Sequence, residues 1–446
     1  MIQDMSKVCF RVCFRSTILF AALGISASQP LFSQSDPSTI QHKVLVGYQG
    51  WFRCPGDGSP EDRWSRWFHG AQDPTTAQVA DVSKRAYRVD QFPDVTGMDK
   101  SSLCAIPNEK VNGQQAYVFS SYPKATTDTH FRWMRDYNID GALMQRFVPS
   151  IPQYNLEHDT VLLNAVAAAQ KYQRVIAVEY DITNADNATL FETMKSDWLH
   201  LTNDLKITSN PAYLHEKGKP VVSIWGIGVE HRIADPNLAK QIVEWFKTQG
   251  NATVMGGVPI DWANPTGDGQ LDPGWKQVYK ELDIVQPWTP GRYRDDASIQ
   301  KWKQMFLNVD IAATRANHQE YMPVIYPGFS WHNSKRDDAP GDVLNRIPRQ
   351  QGNFLWDQAM TAKSAGATMV KIAMFDEVNE GTAIFKIAPT RSQTPTDAQF
   401  LTQDADGTQL PSDWYLRVAR EIGHVYHGTL QPSTSMPMQA LQADSK

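Results

Sequence analysis

The sequence lacks the motifs of several common enzyme classes. Its 11 histidines form no H-x-H or H-E-x-x-H pattern, and the two cysteines beyond the first 34 residues lack zinc-ligand spacing. No G-x-G-x-x-G follows a predicted strand, which argues against a dinucleotide cofactor. The segment Gly328-Phe329-Ser330-Trp331-His332 has histidine where a serine-nucleophile elbow has its second glycine. We therefore predict no metal and no cofactor.

An excess of positive charge is also absent. The chain has 43 basic and 48 acidic residues, a formal net charge of -5 and no basic stripe, so nucleic acid is not a predicted partner. Hydrophobic residues make up 41% of the chain, enough for a large core, which excludes intrinsic disorder. Aromatic residues reach 11%, with 14 tryptophans, and this excess favours surfaces that stack on flat ligands.

No apolar run is long enough to span a bilayer. Near the N-terminus, three basic residues precede the short apolar run Ile18–Ile25, and the small residues Ser26-Ala27-Ser28 follow it. This order is typical of a secretory leader. We predict that residues 1–34 are a signal peptide and that the protein is secreted or periplasmic, without membrane association after cleavage.

Two cysteines remain after the leader, Cys54 and Cys104. In an exported chain they can pair, and closing this loop of ~50 residues would restrict the unfolded chain by roughly 4 kcal/mol. Two buried thiols are the alternative.

Eight short β-branched or apolar runs recur along the chain, and most are followed by a segment with helical spacing. Continuous apolar strands are typical of a parallel sheet that helices cover on its outer face. The pattern predicts an α/β fold, a (β/α)₈ TIM barrel, with a doubly wound open sheet as the alternative. The predicted strands are Val44–Trp51, Ile139–Phe147, Val175–Ile182, Pro220–Gly228, Ala252–Ile260, Asp283–Pro290, Met322–Ser330 and Met369–Val378.

Residues 35–428 are predicted to form this one domain, and residues 429–446 a disordered polar tail. The predicted helices include Glu157–Gln173, Leu238–Thr248, Ser298–His318, Phe354–Ala365 and Pro411–Tyr426, the last with Asp413 as its cap. A barrel needs about 250 residues, and much of the surplus lies between Phe52 and Ala125. This long loop follows the first strand, so we expect it on the C-terminal face, where barrel active sites form.

The sharpest candidate site closes the eighth predicted strand. Asp376, Glu377 and Glu380 follow a buried apolar run, where carboxylates are costly unless they have a role. If the chain curls into a helical turn there, Glu377 and Glu380 face one cavity and can divide acid and base functions. The alternative is a set of capping acids that stabilise the first turn of a following helix.

The element Glu377-x-x-Glu380-Gly381-Thr382 resembles the E-W-H-E-G-T element of glycoside hydrolase family 99, the endo-α-mannosidases and α-mannanases. The same acid spacing is found in family 71 α-1,3-glucanases. The wider resemblance is to exported 71/99-like proteins, often labelled xylosidase/arabinosidase-like. The segments that carry it are VLVGYQGW (44–51), DGALMQRF (140–147), PGFSWHN (327–333), IPR (347–349) and FDEVNEGTAIFK (375–386).

The resemblance implies roles for both glutamates. Glu377 matches the family 99 residue that deprotonates the sugar 2-hydroxyl to form a 1,2-anhydro intermediate, and Glu380 matches the general acid/base. Asp376 stands where family 99 has Asn, and Val378-Asn379 replaces Trp-His, which leaves the sugar specificity and this route open. A carboxyl separation of ~5–5.5 Å would favour retention and ~6.5–9.5 Å inversion.

Further candidates lie at the ends of the predicted strands, where aromatic rings can stack on pyranose faces and acids or amides can bind hydroxyls. For any single tryptophan, core packing is the alternative. The predicted substrate-binding residues are Tyr48, Trp51, Arg146, Glu179, Asp181, Trp225, Asp261, Trp262, Trp288, Trp331, His332 and Asp376.

The sequence thus predicts an exported, monomeric glycoside hydrolase that cleaves an oligo- or polysaccharide with a Glu-x-x-Glu pair. One alternative is a barrel that binds glycans without cleaving them. The other is a lyase acting on uronic-acid polymers, with Arg349 or Arg146 binding the carboxylate.

Overall fold

Parallel strands form the centre of the computed structural model, which describes residues 34–69, 87–233, 235–334 and 343–438. The predicted signal peptide lies outside this part except for its last residue. The strands are β1 (Val44–Tyr48), β2 (Leu103–Val111), β3 (Gln114–Phe119), β4 (Gly141–Phe147), β5 (Val175–Asp181), β6 (His215–Glu216), β7 (Lys219–Trp225), β8 (Thr253–Pro259), β9 (Ile284–Trp288), β10 (Glu320–Tyr321), β11 (Val324–Ile325) and β12 (Val370–Ile372).

The main sheet closes into a barrel. Its order is β10-β9-β8-β7-β5-β4-β1-β12-β11, with all pairs along it parallel. β10 and β11 are two halves of one segment. Between them, Met322 N donates to Val285 O at 2.9 Å and Lys371 N donates to Pro323 O at 3.0 Å. This segment therefore joins β9 to β12 and seals the predicted (β/α)₈ barrel.

Helices follow the strands on the outside of the barrel, as predicted. They are α1 (Lys124–Asp136), α2 (Ile151–Tyr172), α3 (Asn187–Leu199), α4 (Pro236–Thr248), α5 (Trp275–Glu281), α6 (Asp296–Trp302), α7 (Asn308–Ala316), α8 (Asn353–Ser364) and α9 (Trp414–Tyr426). A π-helical stretch, Lys303–Leu307, joins α6 to α7, so the predicted helix Ser298–His318 is one continuous helical segment.

Two strands end five or more residues before their predicted ends, and one predicted cap is absent. The seventh strand ends at Ile325 rather than Ser330, and the eighth ends at Ile372 rather than Val378. Pro323 and Pro327 have no N–H to donate to a ladder, which explains the short seventh strand. Asp413 precedes α9 but makes no capping hydrogen bond; its carboxylate instead accepts from the Tyr137 hydroxyl and from Arg417 Nε.

The long segment after β1 extends the main hydrophobic core and contains a hairpin, β2–β3. The Phe52 and Trp67 rings lie 4.4 Å apart, and Trp64 packs edge-on against Phe68 at 5.1 Å. Cys54 and Cys104 form a disulfide that links the start of this segment to β2, with Cα atoms 6.1 Å apart. The disulfide therefore holds the part of the chain that follows Trp51 against the hairpin.

Replacing both cysteines with serine is expected to lower the free energy of unfolding by roughly 4 kcal/mol, since the open loop of about 50 residues gains conformational entropy in the unfolded chain. Thermal unfolding of C54S/C104S beside the wild type measures the loss. Mass spectrometry of the unreduced wild type should find two hydrogens fewer than the dithiol. A dithiol mass would contradict the pairing.

Part of the predicted polar tail contacts the domain. Residues 429–438 are described, and Ser433 O accepts a hydrogen bond from Trp356 Nε1 at 2.9 Å. Among the described residues, no helix is long and apolar enough to cross a membrane, and no cluster of His, Cys, Asp and Glu side chains could hold a metal ion.

Candidate active site

A cavity of about 570 Å³ lies at the C-terminal ends of the barrel strands. The ends of β4, β5, β7 and β9 contribute to its wall, and the loops after β1, β5, β7, β9, β11 and β12 complete it. This is the face on which barrel enzymes build their sites. Eight of the residues predicted from the sequence line the cavity: Trp51, Glu179, Asp181, Trp225, Trp288, Trp331, Glu377 and Glu380.

The loop after β12 carries the two glutamates into the cavity. Thr382 N donates to Glu377 O at 3.2 Å, which closes a tight turn around Glu380. Gly381 has a φ of +65°, and a Cβ there would lie 2.8 Å from Ser330 Cβ. Glycine is therefore required at this position for the turn to pack against the loop after β11.

The capping alternative for these acids is wrong. Within the described residues after Glu380, the next helical elements are a 3-10 turn at Arg391–Gln393 and then α9, which begins at Trp414. The Glu377 carboxylate instead accepts from Asn379 N at 2.9 Å within its own loop. Because both acids line the cavity, they are available to a ligand rather than to a helix terminus.

The electrostatic surroundings of Glu377 favour its protonated form. Burial raises the pKa of Glu377 well above its ordinary value, the charges of Glu380 and Asp376 raise it further, and the hydrogen bond from Asn379 and the Arg66 guanidinium oppose the shift. A neighbouring pair of acids with separated proton affinities can act as acid and base at the same pH. The geometry and the electrostatics therefore suit proton transfer to or from a ligand in the cavity.

Four tryptophans form much of the cavity wall. Trp225 at the end of β7 and Trp288 at the end of β9 lie edge to face, with ring centroids 5.4 Å apart. Gly257 on the intervening strand leaves room for the Trp225 ring, since a Cβ there would lie 2.9 Å from Trp225 Cδ1. Trp51 and Trp331 come from the loops after β1 and β11. Such rings can stack on the apolar faces of sugar units.

A buried ion pair crosses the barrel interior beside the cavity. Lys371 Nζ on β12 lies 2.7 Å from both carboxylate oxygens of Glu179 on β5 and donates to Gln286 on β9 at 3.1 Å. Ser223 on β7 also donates to Glu179 at 2.9 Å. These strands lie on different sides of the barrel, so their side chains meet inside it. Glu179 is thus a wall residue whose charge is already compensated.

Several polar atoms on the cavity-lining residues have no hydrogen-bond partner within the described part of the chain, although they are buried. Native proteins satisfy most buried polar atoms, so unsatisfied ones clustered at a cavity point to a ligand. The four atoms are Gln49 Oε1, Trp51 Nε1, Trp225 Nε1 and Arg232 Nε.

Tyr48 and Arg146 were predicted to bind substrate, and neither lines the cavity. Side chains alternate along a strand, so Gln145 and Phe147 face the cavity while Arg146 between them points outward. Arg146 there pairs with Asp197 at 2.5 Å and Asp159 at 2.7 Å. The Tyr48 hydroxyl lies 2.9 Å from Nδ1 of buried His130, on α1.

Asp261, Trp262 and His332 are also displaced from the cavity. Asp261 follows β8 and accepts the backbone N–H of Gly267 at 2.9 Å and of Asp268 at 3.1 Å, which shapes its own loop. Trp262 packs edge-on against Tyr279 at 5.7 Å. His332 follows the lining residue Trp331, but its backbone N–H is fixed by Asp90 at 2.8 Å and its side chain does not line the cavity.

Asp376 has a supporting position rather than a place in the wall. Its two carboxylate oxygens accept from Gln49 N at 2.8 Å and Gly50 N at 2.9 Å. Burial raises the pKa of Asp376 to about 6, although these hydrogen bonds oppose the shift. Asp376 therefore fixes the loop that places Gln49 and Trp51 in the cavity.

Asp376→Ala is expected to destabilise the protein by about 1–3 kcal/mol, since two buried N–H groups lose their acceptor. KM should rise more than kcat falls, because the loop carrying Trp51 loosens. Asp376→Asn is the matched control. It keeps one acceptor oxygen, so its free energy of unfolding should fall less than that of Asp376→Ala.

Comparison of Asp376→Asn with the wild type also tests the pKa of Asp376. A raised pKa means that the folded state favours the neutral acid, so this contribution to stability is complete below about pH 4 and lost as pH rises through about 6. Denaturant unfolding between pH 4 and pH 7 should show this loss in the wild type and not in Asp376→Asn. If the free energy of unfolding changed with pH in the same way in both proteins, the raised pKa of Asp376 would be contradicted.

Four lining arginines were not predicted from the sequence: Arg66, Arg232, Arg292 and Arg346. They lie in loops, which have no periodic pattern to reveal the direction of a side chain. Arg349, considered for a lyase, is buried elsewhere, with its guanidinium 3.6 Å from the Tyr415 ring centroid and Nη2 donating to Ala383 O.

Comparison with known proteins supports the fold. No protein-family model matches the sequence, and no significant match was found among curated proteins. Among solved structures, the chain is similar to the family 99 endo-α-mannosidase of Bacteroides thetaiotaomicron, with a TM-score of 0.61, 14% identity, and 87% of this chain and 99% of that chain covered. The same enzyme in complex with bis-tris propane gives a TM-score of 0.60 at 13% identity, with the same coverage. This likeness shows the fold that the sequence resemblance implied: a (β/α)₈ barrel like that of a family 99 glycoside hydrolase.

Proposed function

We propose that this protein is an exported glycoside hydrolase that cleaves O-glycosidic bonds of an oligo- or polysaccharide. The observation that carries the proposal is the meeting of Glu377 and Glu380 in one cavity lined by tryptophans. The likeness in fold to a glycoside hydrolase adds support, and the export part rests on the N-terminal leader pattern.

The proposed reaction divides proton transfers between the two acids. Glu380 protonates the leaving-group oxygen as the glycosidic C–O bond breaks, and water supplies the hydroxyl that the anomeric carbon gains. In the reacting form the proton of the pair lies on Glu380 and Glu377 is ionised. Its raised pKa makes the Glu377 carboxylate a stronger base than an ordinary glutamate, suited to take a proton from a hydroxyl of the reacting sugar or from the water. Trp225 and Trp288, which line the same cavity, offer ring faces on which sugar units of the substrate stack.

A screen for released reducing ends tests the proposal. Purified protein is incubated with plant, yeast and host glycans, and each hydrolytic cut should create one new reducing end. A lyase would instead produce an unsaturated sugar that absorbs in the ultraviolet. Binding of a glycan without either product would favour the non-catalytic barrel and overturn the proposal.

A further inference from the structure

The cavity wall contains four arginines beside its four acidic residues. Arg66, Arg232, Arg292 and Arg346 come from four separate loops and all line the cavity. Guanidinium groups match the planar oxygens of carboxylate and sulfate, with which they form paired hydrogen bonds. A ligand can use a guanidinium group only where no protein carboxylate already forms an ion pair with it.

Two of the four arginines have no such partner. Within the described ranges, neither Arg66 nor Arg232 forms an ion pair, whereas Arg292 pairs with Asp268 at 2.6 Å. The Arg66 guanidinium lies 3.9 Å from the Trp51 ring centroid, and that of Arg232 lies 5.4 Å from the Trp225 ring. Arg232 Nε is buried and has no hydrogen-bond acceptor among the described residues.

None of the four wall acids Glu179, Asp181, Glu377 and Glu380 forms an ion pair with Arg66 or Arg232 in the described part of the chain. Glu179 is paired with Lys371, and Glu377 favours its protonated form. Asp181 accepts from Gln145 Nε2 and from Thr183 N at 2.8 Å, and burial raises the pKa of its carboxyl. A charge that is removed from water without a partner is costly, so an anionic ligand group would stabilise this wall.

Both arginines act on the same part of the cavity. Asp181 feels the charge of Arg232, and Arg66 in turn feels the charges of Asp181 and Glu377. Both guanidinium groups line the cavity, and each interacts electrostatically with the Asp181 carboxyl. Burial lowers the pKa of Arg66 to about 10, so the side chain remains charged at neutral pH.

We propose that the cavity binds a glycan with an acidic substituent, a carboxylate or a sulfate, and that Arg66 and Arg232 bind this group. The inference rests on the proposed function, because it specifies the substrate class of the same site. Both arginines line the same cavity as Glu377 and Glu380, so the acidic group belongs to a sugar unit bound in that cavity.

The test measures binding in a variant that cannot cleave the probe. Glu380→Gln protein is titrated by calorimetry, in 150 mM salt, with polygalacturonate and its neutral methyl ester, with alginate, and with dextran sulfate and dextran. At least one acidic polymer should bind about tenfold or more tightly than the neutral polymers. Preference for a polyuronate identifies the group as carboxylate, and preference for dextran sulfate identifies it as sulfate.

Variants that remove one guanidinium charge test whether Arg66 and Arg232 bind the acidic group. Arg66→Gln and Arg232→Gln, each in the Glu380→Gln background, should lower the affinity for the acidic polymer about tenfold. Arg66→Lys should restore part of the affinity, and also serves if Arg66→Gln fails to fold. Arg315→Gln, on the exposed surface of α7, removes the same charge outside the cavity and should leave affinity unchanged.

Several outcomes would overturn the inference: no binding of any acidic polymer, equal binding of the neutral polymers, or an equal loss from Arg315→Gln. The proposed function is tested separately by the wild type. Cleavage of neutral glycans alone would support the proposed hydrolase function and contradict the inference of an acidic substrate. Tight binding of acidic glycans without cleavage would sustain the inference and count against hydrolysis.

Discussion

Glu380→Gln is expected to reduce kcat by about 10²–10⁴-fold, the range that positioned acid–base groups contribute. The amide has the shape of the acid but cannot transfer its proton, so the cavity should persist while the chemistry stops. Reducing-end release gives kcat, and calorimetry with the intact glycan should give nearly unchanged affinity. Substrates with an acidic phenol as leaving group need less protonation, so the loss on them should be smaller.

The matched control for this variant is Glu244→Gln on α4, an exposed glutamate that pairs with Lys240 at 3.3 Å. It removes the same carboxylate charge from the protein and should leave kcat unchanged. Full activity of Glu380→Gln would remove Glu380 from the reaction. An equal loss on substrates with good and poor leaving groups would assign it a role other than proton donor.

Lys371→Met is expected to lower the free energy of unfolding by about 3–5 kcal/mol, the usual loss when one partner of a buried ion pair is removed. Lys371 is fully buried, and Glu179, 3% exposed, would remain as an uncompensated charge inside the barrel. Chemical denaturation at neutral pH measures the change. The double variant Glu179→Gln/Lys371→Met should be more stable than Lys371→Met alone, because the stranded charge is gone.

A surface pair of the same type provides the comparison. Lys171 and Asp128 lie 2.6 Å apart, but Lys171 is largely exposed, and water compensates for the loss of either charge. Lys171→Met should therefore change the unfolding midpoint little. If Lys371→Met were as mild, or if the double variant were no better than the single one, the ion pair would not be a structural element of the barrel.

The barrel was predictable because its strands are apolar on both faces, and such runs stand out in a sequence. The acid pair was predictable for a related reason: Glu377 and Glu380 stand out as charged residues directly after the apolar run of the last strand. Glu179 and Asp181 were placed correctly because residues two apart share a face. In these cases a local pattern determines where the side chain points.

Arg146 and Tyr48 show that a position near a strand end does not determine whether the side chain points into the cavity or outward. Both lie near the end of a barrel strand, but alternate residues point outward, and the parity depends on the register of the closed sheet. Arg66 and Arg232 were missed for a different reason. Their loops are fixed by contacts far along the chain, such as the Arg66 stacking on Trp51, and no short-range pattern encodes these contacts.

The pairing of β1 with β12 has a consequence for incomplete copies of the protein. During translation, β1 leaves the ribosome long before β12, and until then one of its edges carries unpaired N–H and C=O groups. Such an edge can recruit a strand from another molecule. A chain that stalls, or that loses its last quarter to proteolysis, also lacks the loop with Glu377 and Glu380. Truncated copies are therefore expected to aggregate rather than to retain reduced activity.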